Sequence, residues 1–129
     1  MDRQWWDTYR AEVLTDFSGE RFSSNPVAGG VERVDIKPHG NSGAGAISLA
    51  ARFGAKRIIL LGYDCQHTGG KKHWHGDHPR NLGNAGSIER WPAKFAAMAK
   101  ELPRDVEVIN CSRETALDCF PRAALEDVL

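Results

Sequence analysis

Three histidines and an aspartate crowd into six consecutive positions, 73–78, inside the stretch "KHWHGDHP", in a chain that holds five histidines in all. Imidazoles and a carboxylate at this density suit two kinds of chemistry. In a locally extended segment His73, His75 and Asp77 share one face and offer ligands to zinc or another divalent ion, while His78 turns away. No recognised zinc spacing is met, so a metal on His73, His75 and Asp77, and with it a metal-dependent hydrolase, is the less favoured alternative. A histidine working as general base needs no metal, because its ordinary pKa of about 6.5 suits it to accept a proton from a hydroxyl nucleophile at neutral pH. His75, central in the stretch, is the leading candidate, with His73 and His78 beside it and Trp74 as a stacking face or apolar wall. The plain alternative is structural: the histidines hydrogen-bond loop carbonyls and Trp74 pins the loop to the core.

Two other stretches have the form of ligand contacts. In "HGNSGAG" the residues Asn41, Ser42 and Gly43 stand just before an apolar helical pattern. A turn there presents backbone N–H groups and the positive end of a helix dipole to an anion such as a phosphate or carboxylate. It is equally read as a capped turn, with Ser42 or Asn41 as the cap. In "RIILLGYD" the residues Tyr63 and Asp64 follow an apolar run directly, where open α/β sheets bind ligands beyond the carboxyl end of a strand. Asp64 is suited to accept a ligand hydroxyl, or to brace the next loop through its own backbone.

The elements that must position these residues follow from periodicity and punctuation. Trp5, Trp6, Tyr9, Val13 and Leu14 predict a first helix over residues 2–17. A short strand around Phe22 and a second through Val31, Val34 and Ile36 come next. Ile47, Leu49, Ala50 and Phe53 predict a helix over residues 42–52, closed by Gly54. The unbroken apolar run 58–61 reads as a strand of a parallel sheet, buried on both faces. Residues 65–86 carry no periodicity but four of the five histidines. A loop of that length in a small domain reads as an active-site flap. Ser87 opens a further helix through Trp91, Phe95 and Met98, which Pro103 ends. "VEVIN" is the next strand, and a short helical turn follows Pro121. The fold class expected is α/β, one Rossmann-like domain over residues 1–129: a three-layer sandwich with a mostly parallel sheet, shortened at its start.

Composition narrows the functions. Seventeen basic and seventeen acidic residues cancel, which removes the basic footprint of most nucleic-acid binders. No apolar run approaches the ~20 residues of a membrane span, and the first residues lack the form of a signal peptide. A cytoplasmic location is expected, with no membrane partner. Cys65, Cys111 and Cys119 are three in number with no CxxC spacing, and read as reduced thiols, Cys65 and Cys111 at the edges of the core. The adjacent Trp5 and Trp6 need a neighbour to bury both, so a missing upstream layer and self-association through the first helix are expected.

The segment "GNSGAGAISLAARFGAKRIILLGYD" resembles the central segment of bacterial lipooligosaccharide sialyltransferases. It is also similar to the Rossmann-like family related to archaeal 6-hydroxymethylpterin diphosphokinase. The longer run through "HWHGDHP", "VINCS" and "CFPR" looks like proteins of unsettled function encoded by bacteriophages and prophages, which would put the chain in the host cytoplasm. The sialyltransferase resemblance implies that Asn41, Ser42 and Gly43 contact a CMP-sugar donor and that Asp64 lies between donor and acceptor. Its catalytic histidine aligns with none of His73, His75 or His78. Those families begin with a strand and glycine-rich turn that contact the nucleotide, and this sequence starts after that unit. The function expected is a glycosyltransferase-related domain binding a nucleotide or nucleotide-sugar, with a histidine as general base. The alternative is a non-catalytic phage accessory or assembly module.

Overall fold

A computed structural model describes residues 3–25, 30–71, 78, 82 and 85–129. Of the histidine stretch only His78 falls among them. His73, Trp74, His75 and Asp77 lie outside the described residues, and so do the general-base and metal expectations that rest on them.

Helix α1, Arg3–Asp16, is followed by strands β1, Phe22–Ser23, and β2, Glu32–Arg33. Helix α2, Ser42–Arg52, leads into β3, Arg57–Leu60, then α3, Trp91–Ala99, and β4, Glu107–Asn110. Strands β3 and β4 pair in parallel, with Leu60 opposite Asn110. The chain from β3 through α3 to β4 is therefore a strand–helix–strand unit, and α2 packs on both β3 and α3. The architecture is mixed α/β.

The expected single parallel sheet takes the form of two separate two-stranded pairs among the described residues, β1–β2 and β3–β4. Val34 and Ile36 are apolar enough for a strand, but the Ile36 N–H donates to the carbonyl of Val34 at 3.2 Å. Strand β2 lies within the expected strand, and the Val34 N–H still donates to the Ser23 carbonyl at 2.9 Å, so the tight turn after Val34, with Pro38 soon after, ends the ladder there.

The helix expected from Ser87 starts later. Pro92 has no N–H to return to the carbonyl of Ile88, so residues Ile88–Arg90 close as a 3₁₀ turn and the α-helix begins at Trp91. The turn expected after Pro121 is a 3₁₀ turn, Leu125–Asp127. Before it, the Asn110 N–H donates to the Pro121 carbonyl at 2.8 Å, laying residues 121–122 along the outer edge of β4.

The main core gathers Ala44 and Ile47 from α2, Leu60 from β3, Phe95 and Met98 from α3, Val108 from β4, and Cys65, Leu117 and Phe120 from the following loops. Each large apolar side chain fully buried there contributes about 1.5–3 kcal/mol relative to exposure. Helix α1 packs on no other helix or strand among the described residues. Trp6 is nonetheless only 4% exposed and Trp5 is half-buried. The tryptophan pair is thus not the open patch on which the expectation of self-association rested. No helix of the described residues is long and apolar enough to cross a membrane.

Candidate functional site

The two stretches singled out by their glycines and polar residues come together. A cleft of about 520 Å³ lies at the carboxyl end of β3, with Asn41, Ser42 and Gly43 on one side, Tyr63 and Asp64 on another, and His78 at its edge. Its remaining wall is aromatic, from Trp91 and Phe95 of α3, with Ser87 close by. Of the expected site residues among those described, all six therefore line one cleft: Asn41, Ser42, Gly43, Tyr63, Asp64 and His78.

Local chemistry explains the shape of the first side. Asn41 is extended at φ −145°, and its Oδ1 accepts from the Gly43 N–H at 2.8 Å and the Ala44 N–H at 3.2 Å. Asn41, rather than Ser42, is the cap. The Gly45 N–H donates to the Asn41 carbonyl, as helix geometry requires. Of the first-turn donors, Ser42 N–H alone has no acceptor within the described chain. The start of α2 is consequently a weaker anion site than an uncapped helix end. Gly43 is needed for contact rather than for torsion: a Cβ there would lie 3.1 Å from Asn41 Oδ1, 3.1 Å from Tyr63 Cε1 and 3.2 Å from Phe95 Cζ. The rings of Tyr63 and Phe95 meet edge to face, 5.7 Å apart.

The second side is braced from β4. The Tyr63 N–H donates to Ser112 Oγ at 2.7 Å, and Thr115 Oγ1 donates to the Tyr63 carbonyl at 2.7 Å. The Ser112 N–H in turn donates to Asn110 Oδ1 at 3.0 Å, and the Ala116 N–H donates to the Asp64 carbonyl at 2.8 Å. Asn110 and Ser112 are buried polar residues with these partners. The turn at residues 62–64 is thus held by three hydrogen bonds to the chain that follows β4. This brace was not read in advance. The signal for it was an asparagine closing an apolar strand with serine and threonine two and five residues on.

Burial sets the ionisation of two groups here. The Tyr63 phenol is pushed up by desolvation and secondarily by Cys65. Burial, with Cys119 and Asp64 adding to it, pushes the Cys65 thiol up to about 11. Cys65 is a protonated core thiol at neutral pH and no nucleophile. Backbone strain gathers around the cleft as well. His39, Cys65 and Ala85 all hold φ near +50°, at 51°, 51° and 53°. A left-handed conformation costs a non-glycine residue about 1–2 kcal/mol, and the three flank the glycine turn, the Tyr63–Asp64 turn and the entry to α3.

Past the Gly62–Asp64 turn lies a second, larger cleft of about 960 Å³, lined by Leu61, Ser112, Arg113, Arg122 and Leu125 among others. Gly62 and Asp64 belong to both clefts. Thr68 Oγ1 lies 3.5 Å from Asp64 Oδ2, at the limit of a hydrogen bond. Thr68 opens a two-residue hairpin to Lys71 through Gly69 and Gly70, whose φ values of 60° and 74° only glycine adopts readily. No group of three or more histidine, cysteine or acidic side chains suited to a metal occurs among the described residues.

Compared with family models, with curated proteins and with solved structures, the chain matches none of them.

Proposed function

We propose that this chain is a Rossmann-like, glycosyltransferase-related domain that binds a nucleotide or nucleotide-sugar at the cleft between Asn41–Gly43 and Tyr63–Asp64. The observation that carries the reading is the meeting of these two turns with His78 around one cleft at the carboxyl end of a parallel strand. The character of the walls supports it. Trp91 and Tyr63, backed by the buried Phe95, supply aromatic surface for a sugar or base, while Asn41, Ser42, Ser87 and Asp64 supply neutral and acidic polar atoms for hydroxyl groups.

Transfer runs by attack of an acceptor hydroxyl on the sugar carbon that bears the nucleotide. A histidine takes the hydroxyl proton, and the departing phosphate keeps the electron pair of the broken bond. Among the described residues the histidine at this cleft is His78. The leaving phosphate needs more positive charge than the start of α2 supplies, since Asn41 already engages two of its N–H groups.

A thermal-shift titration of the chain with CMP, CDP, UDP, GDP and ATP tests the reading, because a ligand that binds only the native state raises Tm by mass action. A selective response to one base supports it. A flat response to all five, at millimolar concentration, overturns it in favour of a non-catalytic phage accessory module.

A further inference from the structure

Among the described residues, the cleft that suits a sugar is lined by no lysine or arginine, whereas the adjoining one has two arginines. Arg113 and Arg122 line the second cleft, on the far side of the Gly62–Asp64 turn. We infer that this second cleft is a phosphate subsite, with Arg113 and Arg122 as its ligands and Leu61 and Leu125 as an apolar wall for the organic part of a nucleotide. The inference deepens the nucleotide reading and rests on it for the ligand's organic part, not for the anion.

Three observations carry it. Arg122 is oriented in advance: one Nη donates to the carbonyls of Ser112 at 3.0 Å and of Arg113 at 2.9 Å. That leaves the rest of its planar fork for an anion, and a guanidinium fixed in this way loses little freedom on binding. Neither arginine forms an ion pair among the described residues. Asp64, Glu114 and Glu126 also line the cleft, yet none lies within ion-pairing distance of either guanidinium. The carboxylates lower the affinity without occupying the arginines. Finally, Leu61 is 57% exposed directly after the buried Leu60 that ends β3, an apolar side chain offered to a ligand rather than to the core. With Gly62 and Asp64 shared between the clefts, one molecule can rest its phosphate on the arginines and its sugar beside Asp64 and Trp91.

Arg113 carries the test, because its side chain holds nothing in the described fold and its loss leaves Tm unchanged. Labelled full-length chain is titrated with sodium pyrophosphate, and with sodium chloride at matched ionic strength, while the Arg Nε–Hε and residue 111–114 amide signals are followed. Saturable shifts with pyrophosphate alone are expected, and about tenfold weaker binding in Arg113→Ala, the scale of one charge-assisted hydrogen bond. A second variant, Arg122→Lys, keeps the charge but loses the fork, and is expected to weaken binding by a similar factor. Linear shifts identical to chloride, or equal affinity in wild type and Arg113→Ala, overturn the subsite. CMP and cytidine separate the two proposals. If pyrophosphate binds through Arg113 and no nucleotide does, the anion site stands and the nucleotide reading falls. If CMP binds wild type and Arg113→Ala alike, the nucleotide reading stands and this subsite falls.

Discussion

Replacing Asn41 by alanine tests whether the glycine turn is first a helix cap and only then a ligand contact. The side chain engages two N–H groups in a half-buried setting, so its loss belongs in the upper part of the usual capping range, about 1.5 kcal/mol. An unfolding entropy of about 2.1 cal/mol/K per residue makes that a fall in Tm of about 5–6 °C where all 129 residues melt together, and of about 8 °C where the later two-thirds melts by itself. Differential scanning calorimetry on wild type, Asn41→Ala and Asn41→Asp reads the effect. Aspartate keeps an acceptor oxygen and adds a charge favoured by the helix dipole, so its Tm stays at or above that of wild type. The alanine variant also bares the Gly43 and Ala44 N–H groups toward the cleft. Added sulfate therefore raises its Tm by more than it raises that of wild type. An alanine variant melting within about 1 °C of wild type would refute the capping argument and reopen the turn as a free anion site.

Gly43→Ala gains up to about 1 kcal/mol of helix propensity, yet the three contacts at 3.1–3.2 Å outweigh it. A lower Tm is expected, and a raised one would show that Tyr63 and Phe95 yield easily. Ser112→Ala leaves the Tyr63 N–H without its acceptor, at a cost of about 1–3 kcal/mol; urea titration should show a lower midpoint with unchanged slope. Cys65 and Tyr63 bind their protons more tightly in the folded chain. For Cys65, stability is full below its ordinary pKa of 9.0 and is lost as pH rises from there through about 11. Tm measured from pH 8 to 11 therefore falls in wild type and falls less in Cys65→Ala; parallel curves would contradict the assignment.

How far the fold was legible depends on how local its causes are. Helix α2 and strands β3 and β4 were readable because apolar spacing, Gly54 and the run 58–61 are signals carried within the segment itself. The meeting of "GNSG" with "GYD" was also readable, since both flank the same helix–strand pair. What escaped was set by partners distant in sequence. Val34 keeps its bond to β1, but a three-residue turn diverts Ile36 from the ladder. Trp91 and Phe95 read only as apolar positions of a helix, but both also line the cleft, and Phe95 serves core and cleft together because Gly43 lets α2 approach its ring. The Asn110–Ser112–Thr115 brace depends on β4 ending level with β3, a matter of register that composition does not disclose. Gly69 and Gly70, by contrast, carried a readable hairpin signal within a segment read only as loop.

The residues of the main core lie between Ala44 and Phe120, and none comes from α1, β1 or β2. Cooperative unfolding should accordingly divide along the chain. Amides of α2, β3, α3 and β4 exchange with solvent only through global opening, whereas those of α1 exchange through smaller openings that leave both clefts intact. Denaturants and proteases would strip the first third of the molecule at concentrations where the two-thirds that carries both clefts still stands. The stability of both clefts is thus a property of the later segment, and a single melting temperature averages over two units of unequal strength.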